Sequence, residues 1–135
     1  MWRCREIMLK SSHLFLQLAA ANGFIVVVLG AFGAHGLEQF LPAAALDTWQ
    51  TAVQYHMFHV TGLLAVSVVE RLFVKSAALW WSGIAFLAGV LLFSGSLYVL
   101  AVTGVRWLGM ITPIGGACFL LGWGLLFKVL VSHKV

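Results

Sequence analysis

The sequence predicts an all-α integral membrane protein: a bundle of four transmembrane helices with both termini on the cytoplasmic side. Three observations predict it. The composition is overwhelmingly apolar, the charges leave four long uncharged runs, and the basic residues gather on one side. Of the 135 residues, 62% are hydrophobic and 9% charged, with a mean hydropathy of +1.03. Soluble domains carry about a quarter charged residues, and no soluble core of this size could absorb so much apolar surface. A bilayer can.

Counting Asp, Glu, Lys and Arg, the uncharged runs cover 11–37, 48–69, 76–105 and 107–127, which is 27, 22, 30 and 21 residues. A helix needs about 20 apolar residues to cross about 30 Å of hydrocarbon, so each run suffices for one crossing. Backbone amides in hydrocarbon must bond within their own segment, which favours helices, and a barrel strand would alternate with polar residues. The predicted spans are 13–35, 50–69, 77–102 and 107–130, in a single membrane domain over residues 1–135.

The first run has a basic start (Arg3, Arg5, Lys10) and small residues that resemble a secretory signal. Signal cores are about 7–15 residues long, so this run reads as a membrane helix. The 36–49 segment contains Pro42 and the Ala-rich piece Ala43–Leu46, which suits a short interfacial helix. Gly36 is placed to cap the first helix in a left-handed conformation. Pro113 falls near the start of the fourth helix, where a missing backbone donor costs little.

Four crossings put Arg3, Arg5, Lys10, Arg71, Lys75, Lys128 and Lys134 on one side and Arg106 alone, with Glu38 and Asp47, on the other. This seven-to-one bias makes the first side cytoplasmic. Lys128 would reach the headgroups from the last turns of the fourth helix. Trp49 and Trp107 mark the outer boundary, and Trp80 and Trp81 the inner one. The net charge of +4 is thus explained by topology and not by nucleic acid. Cys4 and Cys118 lie at different depths and give no disulfide. The expected location is a bacterial inner membrane, with the lipid bilayer as the principal partner. The 14 glycines suit close helix contacts, within the chain or with further copies or other membrane proteins.

Antiparallel alternation brings His35, Tyr55, His56, His59, Ser94, Ser96, Tyr98 and Thr112 to neighbouring depths in the outer half. At 100° per residue, Ala52, Tyr55, His56, His59, Leu63, Ser67 and Glu70 share one face of the second helix. Val53, Met57, Phe58, Leu64, Ala65 and Val68 make up its lipid side. Thr112, Gly115, Gly116, Phe119 and Trp123 form a narrow face on the fourth helix, and Ser94 and Tyr98 stack one turn apart on the third. Asn22 and Gln17 are polar glue deeper in the first helix.

Two chemistries compete for this cluster. Polar side chains between membrane helices commonly serve as interhelical hydrogen bonds, which makes the chain a non-enzymatic structural, accessory or interaction protein without a cofactor. Alternatively His35, His56 and His59 supply three nitrogens for a metal or haem, or line a proton or solute pathway. A structural zinc would require a fourth ligand, and the pathway lacks an embedded carboxylate unless Glu70 joins it. No Ser–His–carboxylate set, paired carboxylates or phosphate loop points to catalysis. The run GAFGAHG ends a helix and does not join a strand to one.

Four ordered motifs carry a resemblance: Gly30-Ala31-Phe32-Gly33-Ala34-His35-Gly36-Leu37, Gln54-Tyr55-His56-Met57-Phe58-His59, Leu92-Phe93-Ser94-Gly95-Ser96-Leu97-Tyr98, and Thr112-Pro113-Ile114-Gly115-Gly116. Together they resemble the domain of unknown function 423 family of small YgdD/YwdK-like inner-membrane proteins, from about Leu14 to Phe127. The resemblance implies a four-helix inner-membrane protein and no reaction, substrate or cofactor.

Overall fold

Helix α1 (Trp2–Phe32) continues into a π turn (Gly33–Leu37), and α2 (Ala43–Leu72) follows a short connection. The third crossing is α3 (Ala77–Gly89), a π segment (Val90–Gly95) and α4 (Ser96–Thr103); the fourth is a 3₁₀ turn (Arg106–Met110) leading into α5 (Thr112–Ser132). This computed structural model describes the backbone of residues 2–132 and the side chains of residues 13–132. The predicted roles of Arg3, Cys4, Arg5, Lys10 and Lys134 lie outside the described side chains. Four segments are long and apolar enough to cross a membrane: His13–Leu37, Ala43–Leu72, Ala77–Thr103 and Arg106–Ser132.

Several boundaries differ from expectation for local reasons. The Ala-rich piece is no separate interfacial helix, because Pro42 is extended (φ −65°, ψ 156°) and α2 starts directly after it. Trp49 therefore sits well inside α2 and is buried, not an anchor at the interface. Gly36 is not a left-handed cap: the backbone stays right-handed through Glu38, and the positive φ among described glycines belongs to Gly104 (69°), which ends α4. That conformation suits glycine because it has no Cβ to clash. Ser76 caps α3, its Oγ accepting from the Leu79 amide at 3.2 Å.

Successive crossings are antiparallel. Along α1 and α2, Gly33 meets Trp49, Gly30 meets Val53 and Gly23 meets Val60, one series rising as the other falls. Along the third and fourth crossings, Phe93 meets Gly115, Gly89 meets Phe119 and Ser82 donates to the Gly122 carbonyl at 2.7 Å. Five other hydroxyls of the spans turn back to their own helix. Thr48, Thr51 and Thr103 donate to the carbonyls four residues earlier, and Thr61 and Ser67 to those three earlier. In hydrocarbon this satisfies a donor that water cannot reach.

Helix α2 occupies the centre. Over its most apolar window 56% of it is buried, against 17% of the first crossing, although its mean hydropathy is the lowest of the four. With lipid as solvent, the less apolar helix gains most by contacting protein. Ala52, His56, His59, Leu63, Ser67 and Glu70 are buried, while Met57, Phe58, Leu64 and Val68 face outward, as the helical periodicity predicts. Tyr55 departs from its predicted face and is 44% exposed. Phe15, Leu63, Val66, Leu79 and Phe86 pack in the half nearer the chain ends; Leu37, Trp49 and Ala101 form a smaller cluster in the other half.

Candidate functional site

His59 is the sixteenth residue after Ala43 in a helix of 30 residues, about 24 Å along it at 1.5 Å per residue. His56 and His59 thus sit near the middle of that helix.

His56 and His59 are buried one turn apart, yet they face different neighbours. His56 closes a seam with α1 and α4. Its Nε2 lies 3.1 Å from Asn22 Oδ1 and its Nδ1 3.4 Å from the Tyr98 hydroxyl. The Asn22 amide is oriented by its other end, where Nδ2 donates to the Leu18 carbonyl at 2.8 Å. Oδ1 can only accept, so Nε2 of His56 carries the proton and Nδ1 accepts from Tyr98. Both ring nitrogens are used. Trp49 seals the same seam, with its Nε1 donating to the Leu29 carbonyl at 3.0 Å and its ring 4.7 Å from that of Tyr98.

His59 is arranged the other way round. Its Nδ1 lies 2.6 Å from the Tyr55 carbonyl, and a carbonyl only accepts, so Nδ1 carries the proton. In the neutral ring, Nε2 is then a bare acceptor, and it has no hydrogen-bond partner among the described residues. The imidazole lies parallel to Phe119, with centroids 3.4 Å apart and an interplanar angle of 6°. Tyr55 stacks on Phe93 at 4.3 Å beside this pair.

These rings border a cleft of about 830 Å³ between α2 and α5, lined by Gln54, Tyr55, Phe58 and His59 on one wall. Phe93 stands behind, and Pro113, Gly116, Ala117, Phe119, Leu120 and Trp123 form the other wall. No Asp, Glu, Lys or Arg lines it. Phe58 (58% exposed) and Leu120 (76% exposed) stand at its margin, so it opens sideways toward the bilayer. The two neighbouring glycines of α5 explain how a wide space adjoins tight packing. A Cβ on Gly115 would fall against the Phe93 amide nitrogen and within 2.8 Å of the Leu92 carbonyl carbon, so this glycine lets the third and fourth crossings touch. A Cβ on Gly116 would come no closer than 3.9 Å to Phe93.

The three-histidine set is not assembled. Among the described residues no three His, Cys, Asp or Glu side chains come together as metal ligands. Gly33 and Leu37, one turn apart, face the protein, so His35 between them points outward and is exposed. His56 has both nitrogens occupied, which removes it from any shared site with His59. Of the other polar candidates, Ser96 and Thr112 meet at 3.2 Å. The Ser96 proton goes to a carbonyl of the π segment (Leu92 at 2.6 Å, Phe93 at 2.9 Å), so Thr112 donates to Ser96. Ser94 is fully buried, and its hydroxyl has no partner among the described residues.

Sequence reasoning named Tyr55, His59, Gly116, Phe119 and Trp123 without joining them into a cleft, and it missed the Ser82–Gly122 bond. The adjacent small residues Gly116 and Ala117 between aromatic positions were the available signal. A gap between helices is a property of helix spacing, which no single-helix periodicity reports.

The fold and its apolar exterior define a multi-pass α-helical membrane protein. The chain belongs to the family described as "Protein of unknown function (DUF423)", whose model matches residues 29–116. It is 43% identical over 119 residues to the UPF0382 membrane protein YwdK of Bacillus subtilis, covering 88% of this chain and 97% of that one. It is 40% identical over 126 residues to the UPF0382 inner membrane protein YgdD of Escherichia coli, covering 92% and 94%. The chain is accordingly a multi-pass protein of the bacterial inner membrane. No solved structure matches it.

Proposed function

We propose that this chain is a non-catalytic binding bundle of the inner membrane, whose α2–α5 cleft receives the apolar chain of a membrane-soluble ligand. The observation that carries this reading is the sideways-open aromatic cleft of about 830 Å³ at mid-span, free of charged side chains. Small-molecule sites are typically concave, about 300–1,000 Å³ in volume, and mostly apolar with a few polar groups. A bundle serving only as scaffold would close such a gap, since van der Waals packing is a main force between membrane helices. The structural role belongs to the His56 seam instead.

The test uses a photoactivatable hexadecyl chain with the purified protein in nanodiscs. Crosslinks should concentrate on 54–59 and 113–123 and fall in Gly116→Phe, which fills the cleft from a position with room for a side chain. Labelling spread evenly around the lipid-facing surface, and indifferent to Gly116→Phe, would overturn the reading.

The orientation proposed with it is both termini cytoplasmic, supported by the seven-to-one distribution of basic residues. A C-terminal alkaline phosphatase fusion should be inactive and a C-terminal green fluorescent protein fusion bright. The reverse pattern would overturn it.

A further inference from the structure

We infer that the ligand of the α2–α5 cleft is a neutral lipid carrying a free hydroxyl, which donates a hydrogen bond to Nε2 of His59. The inference rests on the binding reading above and adds the chemistry of the ligand's polar end. It follows from three features of the same place. First, the Tyr55 carbonyl at 2.6 Å fixes the proton of His59 on Nδ1, which makes Nε2 an acceptor. A carbonyl or ether oxygen offered by a ligand would set acceptor against acceptor, whereas an O–H matches. Second, His59 is 3% exposed and lines the cleft, and no described residue donates to its Nε2. A polar atom without a partner in an apolar surrounding is costly, so a donor brought by the ligand has a specific energetic role there.

Third, depth and charge select the class of molecule. His59 stands near the middle of its 30-residue helix, about 24 Å from the start of α2. A phosphate headgroup would have to be drawn to the bilayer centre, and the lining offers no Lys or Arg to receive it. A diacylglycerol or a prenyl alcohol carries only an uncharged hydroxyl and can occupy that depth. The ring of His59 is held in register by its parallel stack on Phe119, so the acceptor is preorganised. Gln54 and Tyr55, on the same wall, provide further polar groups for a second oxygen.

The experiment has two readouts on the wild-type protein. Dioctanoylglycerol, farnesol, the O-methyl ethers of both, and a short-chain phosphatidylcholine compete with the photoactivatable hexadecyl chain for the cleft. In parallel, ¹⁵N-histidine spectra report the unprotonated nitrogen of His59, assigned by its loss in His59→Phe. A free hydroxyl should improve competition about tenfold over its methyl ether, the order of one hydrogen bond. It should also shift the His59 Nε2 resonance toward the hydrogen-bonded value while leaving the His56 nitrogens in place. The alcohol that does both identifies the source, glycerolipid or prenol. Equal competition by alcohol and ether without a shift overturns the hydroxyl inference and leaves chain binding standing. So does competition by phosphatidylcholine equal to that of the alcohols. If no compound displaces the hexadecyl chain, the cleft reading itself fails.

Discussion

Two histidines one turn apart on the same helix have opposite proton positions and opposite tasks. At the α1–α2–α4 seam, His56 is protonated on Nε2, and both of its nitrogens are consumed by Asn22 and Tyr98. At the α2–α5 cleft, His59 is protonated on Nδ1 and keeps Nε2 free beside an apolar space of about 830 Å³. The difference teaches that a polar residue in a membrane helix is not functional or structural by type. Its role depends on whether the neighbouring helix comes close enough to complete its hydrogen bonds. Where α1 and α4 approach, the ring becomes part of the framework. Where α5 presents the face of Phe119 and no hydrogen-bonding group, a ring nitrogen is left over beside the cleft.

The largest expected effect separates close packing from open space at adjacent residues. Gly115→Ala should destabilise by about 3 kcal/mol, because the new methyl meets backbone that cannot rotate away. Gly116→Ala should change stability by less than about 0.5 kcal/mol. Thermal unfolding monitored by size exclusion in detergent checks both; equal effects would mean that the cleft is closed.

The next effect concerns the seam. His56→Ala leaves the Asn22 oxygen and the Tyr98 hydroxyl without their partner, and should cost about 1–2 kcal/mol. A lowered unfolding midpoint with undiminished hexadecyl crosslinking would place His56 in the framework alone.

His59→Phe should cost the fold less than His56→Ala does, under about 1 kcal/mol, since a phenyl ring preserves the stack on Phe119. It should abolish the preference for alcohol over ether. A loss of stability matching that of His56→Ala would erase the distinction between the two histidines.

Much of this molecule was legible beforehand. The charge-free runs located all four crossings, and helical periodicity separated the buried face of α2 from its outward face, except that Tyr55 is exposed and Val53 and Ala65 are half-buried against the core. The π segment at Val90–Gly95 was not legible, because one additional residue in a helical turn leaves no mark in composition. Trp49 was misplaced for a related reason: tryptophan favours the interface on average, and only the close approach of Gly33 makes a slot for it inside.

The sequence alone determined that the chain lies in a bilayer, crosses it four times, and turns the polar stripe of α2 toward protein. Those outcomes follow from transfer energies and backbone hydrogen bonding, which act residue by residue along a helix. Only the tertiary structure decided which helices touch and which stand apart, and hence that His35 faces outward, His56 is fully bonded and His59 borders a cleft. Interhelical distance is set jointly by side chains on two helices, such as Gly115 against the Phe93 backbone, and that pairing has no counterpart in a one-dimensional pattern.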